Sequence, residues 1–123
     1  MSTILILEDS RELNKALALR LQHAGYTVHR AFDAAQATTL ARQHGPTLAL
    51  LDISVPAGDG FMVADRIAEF GNPKVVFITA NKDPELRARV RRSGAGFMYK
   101  PFTAVDLLQR VEEMIPGASA SAH

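Results

Sequence analysis

The stretch LALLDISVPAGDG, residues 48–60, decides the fold. Four apolar residues with no polar interruption read as a central strand covered on both faces of a sheet. The run ends in Asp52, and Ser54, Pro56, Gly58 and Gly60 then break it into a tight loop. Two readings of Asp52 compete here. It caps the next helix or satisfies loop amides, or it is a chemical group placed at the strand end.

Outward from this run the chain alternates. Residues 3–7 (TILIL) and 26–31 (YTVHRA) read as strands, as do 74–80 (KVVFITA) and 96–100 (GFMYK). Between them lie helical patterns. Leu13, Leu17 and Leu21 mark one face over 11–24, with Ser10 at the N-cap and Gly25 at the end. An alanine-rich helix over 34–44 stops at Gly45 and Pro46. Val63, Ile67 and Phe70 mark a helix over 61–70. Asp83 and Pro84 open a fourth helix that runs to Ser93. Thr103 and Asp106 form a capping-box pattern before Leu107, Leu108, Val111, Met114 and Ile115. Five strand–helix units joined by short connections predict a parallel sheet with helices on both faces, an α/β doubly wound architecture.

The totals are consistent with one compact domain. The chain has 123 residues, 47 % of them hydrophobic, a formal net charge of +1 and no cysteine. This excludes disulfides and thiolate chemistry and leaves no electrostatic case for a nucleic-acid or membrane partner. Residues 1–116 form the expected domain, and 117–123 (GASASAH) read as a tail or the start of a linker. With no signal-like or membrane-length apolar run, the expected location is the cytoplasm. No effector domain is expected after the fifth helix. The four histidines share no metal-ligand spacing and read as surface or structural residues.

In sheets of this kind ligands bind beyond the carboxyl ends of the strands. Glu8 and Asp9 follow the first strand there, Asp52 the third, Thr79 the fourth and Lys100 the fifth. Each has an ordinary structural reading by itself: Asp52 as a cap, Glu8 and Asp9 at a helix start, Thr79 as a β-branched strand residue, Lys100 as a solvated lysine. Together they form a polar set collected at the functional edge. Two carboxylates about 4 Å apart repel by roughly 4 kcal/mol at an effective dielectric near 20. Three of them with one lysine call for a cation, and Mg²⁺ suits all-oxygen ligands. An aspartate beside such an ion can act as a nucleophile towards phosphorus.

These residues resemble the receiver domains of two-component response regulators, the CheY-like superfamily. The likeness runs to about residue 115 and rests on LILEDS, LLDISVPAGDG, FITA and MYKPF in order, one per strand. It implies a flavodoxin-like (βα)5 fold with strand order 2-1-3-4-5. Asp52 would be the phosphoacceptor, fed by the phosphohistidine of a sensor histidine kinase or a phosphotransfer protein. Glu8, Asp9, Asp52 and Ser54 would hold Mg²⁺, Ser54 through its carbonyl and Glu8 largely through water. Thr79, Lys100 and Ala80 would bind the phosphoryl group. Thr79 and Phe97 would form the switch, although Phe97 reads equally well as plain core, and the Lys100–Pro101 bond would be cis. The protein would be no enzyme beyond supporting its own phosphotransfer and dephosphorylation. Its output face would be built from the fourth helix, fifth strand and fifth helix. Arg87, Arg89, Arg91 and Arg92 on that helix read as a solvated face, with an acidic partner or a homodimer contact as alternatives. Ser54 and Asn81 occupy positions that tune phosphate lifetime in the family. Once Asp52 has this role, Asp59 is the better helix cap. A phosphorylation-independent interaction module stays open. A metal-dependent phosphohydrolase is disfavoured, because Ser54 stands where such enzymes place a second aspartate.

Overall fold

The computed structural model describes residues 2–55 and 58–116. Pro56 of the loop and the tail read at 117–123 lie outside the described residues. The main strands are β1 (Thr3–Leu7), β2 (Thr27–Ala31), β3 (Leu48–Asp52), β4 (Lys74–Thr79) and β5 (Gly96–Tyr99). The helices are α1 (Arg11–His23), α2 (Ala34–His44), α3 (Gly60–Ile67), α4 (Pro84–Ser93) and α5 (Ala104–Met114). The five strands form one parallel sheet in the order β2-β1-β3-β4-β5. Ser54–Val55 and Gly58–Asp59 add a small antiparallel pair between β3 and α3.

Side chains alternate across the sheet and build two cores. Ile4, Ile6, Leu48, Leu50, Val76 and Ile78 pack against α1 and α5. Leu5, Leu7, Ala49, Leu51 and Phe77 pack against α2, α3 and α4. β3 is buried along its whole length, which is why its sequence is apolar without alternation. The expected caps form. Ser10 accepts the Leu13 amide, Asp59 the Met62 amide and Asp83 the Glu85 amide, and Thr103 and Asp106 close a capping box. Strand order reverses at β1, so the crevice between the carboxyl ends of β1 and β3 is where a ligand is expected.

Three details depart from the sequence reading. α3 ends at Ile67, and Phe70, past the helix end, is 39 % exposed with the Arg42 guanidinium 5.0 Å from its ring. The buried face of α1 is Asn14, Leu17, Ala18 and Leu21, with Leu13 at its margin. α4 buries only Val90, while Arg87 and Arg89 fold over aromatic rings on either side of it.

Candidate functional site

Four strand ends converge. At the end of β1, Glu8 is fully buried and Asp9 is exposed. The Ser10 amide donates to Glu8 Oε2 at 2.8 Å, so the turn that starts α1 also orients this carboxylate. At the end of β3, Asp52 is 3 % exposed, and its Oδ1 accepts the Ser54 amide at 3.0 Å. Gly60 makes room for that turn. A Cβ there would stand 2.6 Å from the Asp52 carbonyl oxygen and 3.2 Å from Ile53 Cα. At the end of β4, Thr79 is buried, and its Oγ1 accepts the Asn81 amide at 3.0 Å, which leaves the hydroxyl hydrogen able to donate.

Lys100 follows β5 and reaches across the sheet to both buried acids. Its ammonium donates to Asp52 Oδ2 at 2.7 Å and stands 2.5 Å from Glu8 Oε1. The second contact is an ion pair, so one ammonium holds an oxygen of each buried acid. The Lys100 amide donates to the Thr79 carbonyl, and the Lys100–Pro101 peptide bond is cis.

Carboxylate oxygens of Glu8, Asp9 and Asp52 lie within 4.8 Å of one another. Burial pushes the Glu8 carboxyl up from its ordinary range; the Lys100 contact and the Ser10 amide oppose this, and the Asp52 charge adds to it. Burial alone would pull Lys100 down, but Asp52 and Glu8 together more than reverse it and hold the ammonium charged. Three carboxylates against one ammonium leave the crevice negative. That donor set fits a hard divalent cation of the Mg²⁺ kind.

The crevice therefore holds Glu8, Asp9, Asp52, Thr79 and Lys100. Ser54 follows at its rim, exposed and paired with Asp59, and Ala80 and Asn81 continue the chain after Thr79. Phe97 lies off the crevice, half-buried on the α2–α3–α4 side of β5 and edge-on to Tyr99 at 4.7 Å. The register sets Tyr99 opposite Thr79 and Phe97 opposite Phe77. Tyr99 is thus the aromatic nearest Thr79 along this pair, and the two-residue alternation of strand faces was the signal for it.

Asn14 was also missed. It is fully buried, donates from Nδ2 to the carbonyls of Glu8 (3.0 Å) and Ala31 (2.9 Å), and accepts from Arg30 Nε at 2.7 Å. It locks the ends of β1 and β2 behind the acidic pair. Its position three residues before Leu17 and seven before Leu21, on the buried face, was the available sign.

Comparison with known proteins agrees with this architecture. Residues 4–112 match the response regulator receiver domain family. The response regulator GtcR of Aneurinibacillus migulanus is 32 % identical over 92 % of this chain and 47 % of its own length. The transcriptional regulatory protein PdtaR of Mycobacterium tuberculosis is 35 % identical over 89 % of this chain and 54 % of its own length. The chain spans about half the length of these curated relatives. Among solved structures, the HemR receiver domain from Leptospira biflexa superposes with a TM-score of 0.87 at 32 % identity, covering 94 % of this chain and 95 % of that one. A CheY-like receiver domain protein from Methanospirillum hungatei gives 0.86 at 24 % identity over 92 % of each chain, a likeness of fold alone. With its sheet order, its convergent strand ends and a family match over most of its length, this chain belongs to the response regulator receiver domain family.

Proposed function

We propose that the protein is a phosphorylation switch with Asp52 as its phosphoacceptor. The observation that carries this reading is Lys100, whose one ammonium touches both Asp52 and Glu8 at the crevice floor. The donor is the phosphohistidine of a sensor kinase or a phosphotransfer protein. One Asp52 carboxylate oxygen forms the new bond to phosphorus. The phosphorus–nitrogen bond to the donor imidazole breaks, and the nitrogen keeps the electron pair. Glu8, Asp9, Asp52 and the Ser54 carbonyl would hold Mg²⁺, which when bound neutralises charge on the phosphoryl oxygens. Lys100 can turn from the carboxylates to a phosphoryl oxygen, and the Thr79 hydroxyl can donate to another, beside Ala80. Movement of Thr79 towards the phosphoryl group would free space for the aromatic pair of β5, Phe97 and Tyr99, and so alter the face made by α4, β5 and α5. The same groups support slow loss of the phosphate to water.

The test is incubation with acetyl phosphate or phosphoramidate and Mg²⁺, followed by intact-mass measurement. One added phosphoryl group is expected in the wild type and none in Asp52→Asn. No labelling of the folded protein by either donor refutes the reading and favours an interaction module that works without phosphate. Labelling that survives Asp52→Asn moves the site elsewhere.

A further inference from the structure

We infer that the open edge of β5 takes an extended, acidic segment of a partner protein as a sixth strand of the sheet. β5 is the last strand of the order β2-β1-β3-β4-β5, so its outer side has no strand partner among the described residues. The Lys100 amide points inward, to the Thr79 carbonyl of β4. Backbone direction alternates along a strand, so Met98 also faces β4, while Phe97 and Tyr99 turn their N–H and C=O groups outward. All of β5 lines a cleft of about 510 Å³ between α4 and α5. Two residues of free backbone on an edge strand, set in a groove with two walls, form a template for strand addition.

The walls select the occupant. The α4 wall presents Arg87 and Arg91 and no acidic residue. Arg87 is placed over the strand itself, its guanidinium 5.6 Å from the Phe97 ring and 5.9 Å from the Tyr99 ring. The α5 wall is mixed, and Arg110 there already pairs with Glu113 at 3.4 Å. A strand lying in the cleft sends alternate side chains to the two walls. Those facing α4 meet guanidinium groups and are acidic; those facing α5 meet Asp106 beside the paired Arg110 and Glu113, a net negative wall, and are not acidic. A second copy of this chain fits less well. Antiparallel pairing of two β5 edges about a two-fold perpendicular to the sheet sets α4 beside α4, arginine against arginine. The strand addition names a partner for the output face proposed above and rests on that reading for its regulation; the docking geometry needs only the β5 edge.

The probe is a blocked octapeptide alternating glutamate with valine, added to the full chain labelled with ¹⁵N. Amide exchange at Phe97 and Tyr99 is expected to slow about tenfold near saturation, with Met98 as the internal control already bonded to β4. A lysine–valine peptide gives no slowing. A glutamate–valine peptide with N-methylated amides on its pairing edge does not bind, because the contacts are main-chain. The double variant Arg87→Glu/Arg91→Glu, folded by circular dichroism, loses roughly tenfold in affinity for the acidic peptide. Unchanged exchange at Phe97 and Tyr99 overturns the inference. So does equal binding of the N-methylated peptide, which means side-chain docking, or protection of these amides by self-association without peptide, which means a second copy. Intact mass after phosphodonor treatment separates the two proposals. Labelling at Asp52 without amide protection sinks only strand addition, and protection without labelling sinks only the phosphorylation switch.

Discussion

Replacing Lys100 with methionine tests the electrostatic design of the crevice. The ammonium lies 2.5 Å from Glu8 Oε1 and 2.7 Å from Asp52 Oδ2, and both acids are at most 3 % exposed. At an effective dielectric near 20 each contact is an attraction of roughly 6–7 kcal/mol, much of it offset by desolvation. Removing one partner of a buried pair costs about 3–5 kcal/mol, because the other charge stays buried. The Lys100 side chain is 21 % exposed at the rim, which favours the low end, about 3 kcal/mol. For a domain of this size that is roughly 10 °C in Tm. The pH dependence has a definite sign. The folded-state pKa of the Glu8 carboxyl is already raised by burial, and losing the ammonium raises it further. A carboxyl whose folded pKa is raised binds more protons in the native state, so stability falls as pH rises through that pKa. The gap between wild type and Lys100→Met should therefore be widest where Glu8 is ionised in both proteins, and it should shrink as pH falls and the Glu8 carboxyl, its pKa raised further in the variant, takes a proton. Millimolar Mg²⁺ should narrow it too, if the acids hold the ion. Urea denaturation at several pH values, with EDTA and with Mg²⁺, measures all three effects. A loss below about 1 kcal/mol, or a gap that does not change with pH, refutes the view that Lys100 neutralises a buried carboxylate pair.

Gly60→Ala should cost about 1–3 kcal/mol in urea denaturation, because the new Cβ meets the backbone of Asp52 and Ile53, which cannot swing aside. Gly71→Ala is the control: the nearest atom to its Cβ is 3.8 Å away, and a change of under about 0.5 kcal/mol is expected. Asn14→Leu should destabilise by about 2–3 kcal/mol, since it strips the donor from two carbonyls and the acceptor from Arg30; an effect near zero would mean that water replaces the amide. His29 stacks on His44 with ring centroids 3.7 Å apart, and burial, aided by the His44 charge, lowers its pKa. A histidine with a lowered folded pKa contributes stability that is present above about pH 6.5 and lost as pH falls through the folded pKa. Thermal melts of His29→Gln should lose less stability than wild type between about pH 7 and 5.

Much was legible in the chain itself. The apolar run at 48–51, the caps at Ser10, Asp83 and Thr103 and the breaks at Gly25 and Gly45 each depend on residues within a turn of one another, and they set the alternation of strands and helices. The strand ends then named Glu8, Asp9, Asp52, Thr79 and Lys100, because a parallel sheet gathers its carboxyl ends on one side. Phe70 misled, since helical spacing does not say where the helix stops. Other features needed the register of distant segments. The reach of Lys100 to two acids, the placing of Tyr99 opposite Thr79, the Asn14 lock and the His29–His44 stack all join residues far apart in the chain. Gly60 shows the division best. The sequence marks it as a turn residue, but only packing reveals that it is glycine because Asp52 lies 2.6 Å from where its Cβ would be. Periodicity and capping are local and survive in one dimension, whereas a contact across the sheet is decided by how the layers close.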